Sequence, residues 1–324
     1  MNPRLRLAAL VLIVIASALA GPVAAQAWPS KPIRFVLPYS AGTGIDLVTR
    51  SIAQKMSEKL GQPVYVENRV GAGGNIGTEL VAGAPPDGYN VLMVANTIAM
   101  NPSLYKLRFD PLKDFAPVGL VTRGALVLAV NPKVEARNPK ELVATARATP
   151  GKLNYGSAGI GTPQHLAMEL LKNTASIDMV HVPHKGAAEV VGALLAGHID
   201  LMFVPLQSAL PHIRSGKLRA IAVASPGRHA ALPDTPTIAE ALGFADFDVD
   251  LWYALLLPAQ TPRAIVDQLN RATREILAME DIRTTLGGQG MVSAIGSPEE
   301  FRALLMKDMD RWSKLIRTAN IKAE

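Results

Sequence analysis

Residues 33–61 read IRFVLPYSAGTGIDLVTRSIAQKMSEKLG, and a change of period inside this stretch decides the fold. Ile33 to Leu37 is a short apolar, β-prone run, the signature of a strand. After a turn rich in Gly and hydroxyl residues, Ile45, Val48, Ile52, Met56 and Leu60 recur every three or four residues, which is one apolar helical stripe closed by Gly61. The pattern then repeats with a strand at Val64 to Glu67, a shorter helix at Ile76 to Ala82 stopped before Pro85, Pro86, Asp87 and Gly88, and a strand at Val91 to Ala95. Strand, helix, strand, helix, strand implies a parallel sheet with right-handed crossovers.

A second set of the same kind starts near Leu126. Leu126 to Val130, Leu153 to Tyr155, Met179 to Val182, Leu201 to Val204 and Leu218 to Ala224 read as strands. Asn138 before Pro139, Thr162 before Pro163 and Thr235 before Pro236 place a capping side chain beside a Pro at the first helical position, and Gly197 and Gly216 read as stops. Beyond a strand at Leu251 to Leu257, Thr261 and Pro262 open another helix, and Ser297, Pro298 and Glu300 form a capping box for the last one. One α/β lobe, a second lobe and a return to helices predict a discontinuous first lobe (28–124 and 252–324), a second lobe (125–251), and crossing segments near Thr122 to Ala125 and Asp250 to Tyr253.

The chain has 324 residues, is 49% apolar and contains no Cys, which excludes disulfide stapling, thiolate metal sites and a lipidated Cys. Arg4 and Arg6, the apolar run Leu7 to Ala20 and the small-residue pattern Ala25-Gln26-Ala27 read as a secretory leader over residues 1–27, cut near Ala27. A membrane span needs about 20 apolar residues, more than this run supplies. The formal charge of +6, of which the leader's two Arg supply part, is a mild excess that suits anionic ligands. Basic residues are scattered and aromatics are 5%, so no nucleic-acid footprint is expected.

In an open parallel sheet a ligand sits beyond the carboxyl ends of the strands, where helix N-termini present unpaired N–H groups. Two strand-to-helix loops qualify, one per lobe. The first gives Tyr39, Ser40, Ala41, Gly42, Thr43, Gly44 and Asp46, and the second gives Gly156, Ser157, Gly161, Thr162 and His165. Two facing donor clusters suit a ligand with separated carboxylates. Gly74 and Asn75 from a third Gly-rich turn, Asn96 at the end of a first-lobe strand, and His184, Lys185 and Phe203 at the ends of second-lobe strands join the candidate set.

Other chemistries find little support. The Gly clusters satisfy neither the P-loop pattern nor G-x-G-x-x-G, so no nucleotide cofactor is expected. Ser157 stands in G-S-A-G rather than a hydrolase elbow, which leaves an exported hydrolase using Ser157 and His165 as the weaker rival. His181 and His184 lack a nearby third ligand, and no metal site is expected.

Trp28-Pro29-Ser30-Lys31-Pro32-Ile33-Arg34, Gly61-Gln62-Pro63-Val64, Glu67-Asn68-Arg69, Gly71-Ala72-Gly73-Gly74-Asn75-Ile76-Gly77, Pro86-Asp87-Gly88-Tyr89, Asn101-Pro102-Ser103-Leu104-Tyr105, Val180-His181-Val182-Pro183 and Leu210-Pro211-His212-Ile213 follow one another in an order that resembles the Bug-type periplasmic solute-binding receptors of tripartite tricarboxylate transporters. The resemblance covers nearly the whole chain after the leader. It implies an α/β, two-lobed periplasmic binding protein fold of type II-like architecture, each lobe a mostly parallel sheet flanked by helices, with the ligand cleft between them. It further implies a receptor rather than an enzyme, without cofactor, expected as a monomer, that closes on a small di- or tricarboxylate or aromatic acid and delivers it to permease subunits in the inner membrane. A sensor feeding a membrane signalling system would use the same cleft. In the family, backbone amides and ordered water of the two loops hold the carboxylates. Three departures bear on ligand choice: Ser40-Ala41-Gly42-Thr43-Gly44-Ile45 replaces a loop of two Pro and three Gly, His184 stands where Tyr is common, and Val204 stands where an Asp often follows. The last disfavours an amino-acid ligand, whose ammonium an acid would pair.

Overall fold

A computed structural model describes residues 28–322 except 185 and 246; the leader and Lys185 lie outside the described residues. In chain order the elements are β1 (Ile33–Leu37), α1 (Gly44–Leu60), β2 (Val64–Asn68), α2 (Asn75–Ala82), β3 (Asn90–Ala95), α3 (Thr97–Met100), β4 (Phe115–Gly124) and β5 (Leu126–Val130). There follow α4 (Pro139–Ala148), β6 (Asn154–Ser157), α5 (Pro163–Ala175), β7 (Val180–Pro183), α6 (Ala187–Ala196), β8 (Leu201–Pro205), α7 (Leu206–Arg214) and β9 (Arg219–Val223). The chain ends with α8 (Ile238–Leu242), β10 (Leu251–Pro258), α9 (Arg263–Leu277), α10 (Glu280–Gly288), β11 (Met291–Ser293) and α11 (Pro298–Thr318).

The strands form two sheets, a six-stranded one in the order β11-β4-β10-β3-β1-β2 and a five-stranded one in the order β7-β6-β8-β5-β9. Pairing is parallel among β1, β2 and β3 and among β6, β7 and β8, where helices make the crossovers. It is antiparallel wherever β10 meets β3 or β4 and β5 meets β8 or β9. The sheets are therefore mixed, because β4, β5 and β10 carry the chain between lobes and must run back against their neighbours.

Alternation of buried faces builds the layers. On one face of the first sheet Ile33, Phe35 and Leu37 pack with Val48, Ile52 and Met56 of α1 and with α9. On the other, Val36, Leu92 and Val94 join a core that continues through Leu126, Leu128 and Tyr155 of the second sheet and is covered by Phe301, Leu305 and Trp312 of α11. Each of these buried side chains contributes about 1.5–3 kcal/mol, so α11 ties both lobes to one apolar layer.

Capping follows the sequence at three helices. The Asn138 side chain accepts from Glu141 N, Thr162 from His165 N, and Ser297 and Glu300 form the capping box of α11. Two expectations are corrected. Thr237, not Thr235, caps α8, with Glu240 completing a capping box. The Thr261 hydroxyl bonds back to Pro258 O, so α9 starts at Arg263 without a side-chain cap. β4 and β11 escape sequence reading. In β4 the register against β10 skips at two places, around Val118 and Val121, which erases the alternation a strand would show.

The crossing segments are fastened to each other. Arg123 Nη1 lies 3.3 Å from Asp250 Oδ2, Asn96 Nδ2 donates to Asp250 O at 3.0 Å, Trp252 Nε1 donates to Asp308 Oδ2 at 2.7 Å, and Arg311 donates to Asp248 O. Burial, helped by the charge of Asp248 and opposed by Arg123, raises the Asp250 pKa to about 6. Between about pH 4 and pH 6 an unfolded Asp has lost its proton while Asp250 in the folded chain keeps it, so this group's stabilising contribution falls as pH rises through that window. Asp250→Asn removes the titration. Denaturant unfolding of both proteins at pH 4 and pH 7 is expected to show the variant gaining about 2 kcal/mol on the wild type over that interval; a difference that does not change with pH refutes the assignment.

Candidate functional site

Four helices among the described residues, α1, α5, α6 and α7, follow strands β1, β6, β7 and β8 and turn their first residues toward one cleft of about 530 Å³ between the lobes. The first turn of a helix leaves amides without intrahelical partners. At α1, α6 and α7 no side chain caps them.

The α1 loop is held open by its own side chains. Thr43 has the extended backbone of an N-cap, but its hydroxyl donates to Ser40 O at 2.7 Å instead of capping. Gly42, at φ +79, turns the chain and donates its amide to Asp46 Oδ2. Asp46 also accepts from Arg50 and from Asn68 Nδ2, and Asn68 Nδ2 bonds Tyr39 O. Burial works to raise the Asp46 pKa, but the hydrogen bonds from Arg50, Asn68 and Gly42 outweigh it and hold the carboxyl below its ordinary value. Asp46 is thus a buried brace for the loop. The Tyr39 hydroxyl takes the Ala95 amide at 3.0 Å and shares a 2.6 Å bond with Thr97 Oγ1, and burial pushes its pKa up.

The α5 loop rests on a buried stack. The rings of Tyr155 and His181 lie 4.8 Å apart and those of His181 and His165 4.1 Å. His165 Nδ1 accepts from Gly161 N at 3.2 Å, and burial lowers both His pKa values to about 4, which keeps the rings neutral and this acceptor available. Glu169, bonded to Tyr155 and to Lys172, closes the base. Ser157 is fully buried, and its hydroxyl pairs with His181 Nε2 at 2.7 Å, not with His165. The pair supports the loop from beneath and offers no exposed nucleophile.

Of the sequence-nominated residues, Tyr39, Gly42, Thr43, Gly44 and Thr162 line the cleft. Ser40 and Ala41 belong to the α1 loop without lining it. Gly74 packs on Pro38, Asn75 accepts from Asn101, and Asn96 holds the crossing strand. A Cβ on Gly156 would meet Ile199 and Val190, so that glycine serves packing. His184 bonds Val182 O, and Phe203 stacks on Phe247 in the core. Val204 is fully buried on the opposite face of its strand.

Sequence reading missed Thr97, Gln164, the start of α6, Gln207, Ser208 and His212 of α7, and Tyr253, all of which line the cleft. The missed signal is the rule already used for β1 and β6: β7 and β8 also end in helix starts, at Gly186 and Pro205. The carbonyl oxygens of Gln164 and Gln207 are buried without a hydrogen-bond partner among the described residues. Among those residues the cleft lining includes no Asp, Glu, Lys or Arg. Nor do the described residues contain a cluster of three metal-ligating side chains or a helix long and apolar enough to cross a membrane. The site can receive an anion on amides and helix dipoles, with an apolar wall from Ile45, Pro163, Val191 and Leu251.

Residues 48–321 match the family model described as tripartite tricarboxylate transporter family receptor. BugT of Bordetella pertussis is 35% identical over 323 residues, covering 98% of each chain. A solved structure described as a periplasmic transporter is 39% identical with a TM-score of 0.82, over 92% of this chain and 100% of that one. The Rpa4515 protein of R. palustris, solved with adipate, is 31% identical with a TM-score of 0.83 over the same shares. The relatives are solute-binding receptors, not enzymes.

The lobes meet beside the cleft. A Cβ built on Gly161, at φ +76, would stand 2.3 Å from Leu104 Cδ1, which belongs to the segment following α3. Gly161→Ala is expected to cost about 1–3 kcal/mol from the left-handed backbone and the collision together. Adding Leu104→Ala should relieve only the collision. Equilibrium unfolding of both single variants and the double variant checks this, since strictly additive losses would show that the two residues do not press on each other.

Proposed function

The chain belongs to the tripartite tricarboxylate transporter family of receptors, and from that premise we propose that it captures a small carboxylate-bearing acid in the inter-lobe cleft and hands it to permease subunits in the inner membrane. The observation that carries this reading is the convergence of uncapped helix N-termini from both lobes on a cleft whose described lining has no fully charged side chain. Such a site stabilises an anion through pre-oriented amides, and a ligand touching both lobes favours the closed arrangement by differential affinity. The segments 122–125 and 250–253 are the hinges of this closure, with lobe boundaries at 28–124 and 252–324 against 125–251. On this reading the protein works in the periplasm as a monomer; the leader-like sequence of residues 1–27 and the likeness to a periplasmic transporter support the location.

The ligand lacks an ammonium group. No carboxylate lines the described part of the cleft to pair one, and Val204 faces the core. Dicarboxylates such as adipate, aromatic acids and tricarboxylates fit this requirement, and glutamate and aspartate do not.

A thermal-shift series with these acid classes tests the proposal. A ligand at 100 times its Kd adds about 2.7 kcal/mol to the folded state, so one class of plain acids is expected to raise the melting temperature, while glutamate and aspartate leave it unmoved. Failure of every carboxylate to shift the transition overturns the reading.

A further inference from the structure

α7 contributes more polar side chains to the cleft than any other helix. Gln207, Ser208 and His212 all line it. Ser208 and His212 are four residues apart on the helix Leu206–Arg214, which continues through Pro211, so they share one face. The helical rise puts His212 about 6 Å further along the axis than Ser208. Among the described residues that line the cleft, His212 is the one side chain that can carry positive charge. Neither its ring nor the Ser208 hydroxyl has a hydrogen-bond partner among those residues, so both keep their full capacity for a ligand.

Gln164 is 9% exposed and lines the same cleft with its buried carbonyl oxygen unpartnered. Apolar side chains, Val191 and Leu251 among them, complete the lining. The cleft therefore offers an amide pole at the helix starts and a side-chain pole at His212.

We propose that His212, with Ser208 one turn before it, takes the second polar end of an acid whose first carboxylate rests on the helix N-termini, and so sets the preference of the cleft for diacids over monoacids. The inference deepens the receptor reading above and rests on it. An imidazole ring N–H is a hydrogen-bond donor, which suits a second carboxylate and gives nothing to an alkyl terminus. Ser208 supplies a hydroxyl donor beside it.

Calorimetric titration of the purified receptor with acid pairs of equal chain length, succinate against butyrate and adipate against hexanoate, separates the roles. The wild type is expected to favour the diacid of at least one pair. His212→Gln should reduce that preference about 10- to 100-fold while leaving the monoacid within about 2-fold. Ser208→Ala should move it in the same direction by less. Unchanged melting temperature in both variants excludes a folding defect. An unaltered preference in His212→Gln overturns the proposal, as does an equal loss for both members of a pair, which would mark His212 as merely structural. If the wild type favours neither diacid over its monoacid, this proposal falls while the receptor reading stands; only if no acid of the thermal-shift series binds either does the receptor reading fall with it.

Discussion

Backbone amides that a helix cannot satisfy for itself organise this protein. Each strand of the parallel part of a sheet must hand the chain to a helix, and the first turn of that helix exposes donors with no intrahelical acceptor. The starts of α1, α6 and α7 at the cleft leave those donors without a side-chain cap; elsewhere in the molecule α4, α8 and α11 are capped by Asn138, Thr237 and Ser297, and α2, α9 and α10 are not. An open start matters at the cleft because a capping side chain would fill the position an anion needs. Thr43 shows it most directly: a residue type suited to capping spends its hydroxyl on Ser40 O and leaves the start of α1 open.

Holding those donors in place requires rigid support from behind, and the two lobes solve this differently. Behind the α1 loop stands a charged brace, with Asp46 gathering Gly42, Arg50 and Asn68. Behind the α5 loop stands a neutral one, in which stacked His165 and His181 are kept uncharged by burial and tied to Gly161 and Ser157. Both braces put ionisable groups one layer away from the cleft and leave the described surface free of full charge. That separation lets titratable residues fix backbone geometry without competing with an anion.

The elements were legible where local chemistry and tertiary structure agree. The stripe from Ile45 to Leu60 and the caps at Asn138, Thr162 and Ser297 reappear almost residue for residue. β4 was not legible, because its bulges and Pro117 remove the period that identifies a strand. The site was half legible. The rule that ligands gather at strand ends found the α1 and α5 loops, but sequence could not tell which loop residues turn inward, so Asp46, Ser157 and Phe203 were nominated and proved buried. Tyr253 could not have been found at all, since it sits in a strand whose every residue is buried and only the sheet order brings its side chain to the cleft.

An amide-lined cleft also constrains how such a protein can discriminate. Backbone donors are much alike whatever the side chains around them, so they recognise a carboxylate as a class and supply little choice among carboxylates. A buried full counter-charge would add affinity only after a desolvation cost of several kcal/mol per ion, and it would hold the ligand against release. Selectivity then falls to side chains at the rim of the amide cluster, where substitution leaves the helix starts intact. α7 meets that condition: its first turn belongs to the amide cluster through Gln207 and Ser208, and its later turn presents His212 to the same space. On the proposed reading, a change in the later turn alters what the cleft accepts and leaves the helix starts as they are.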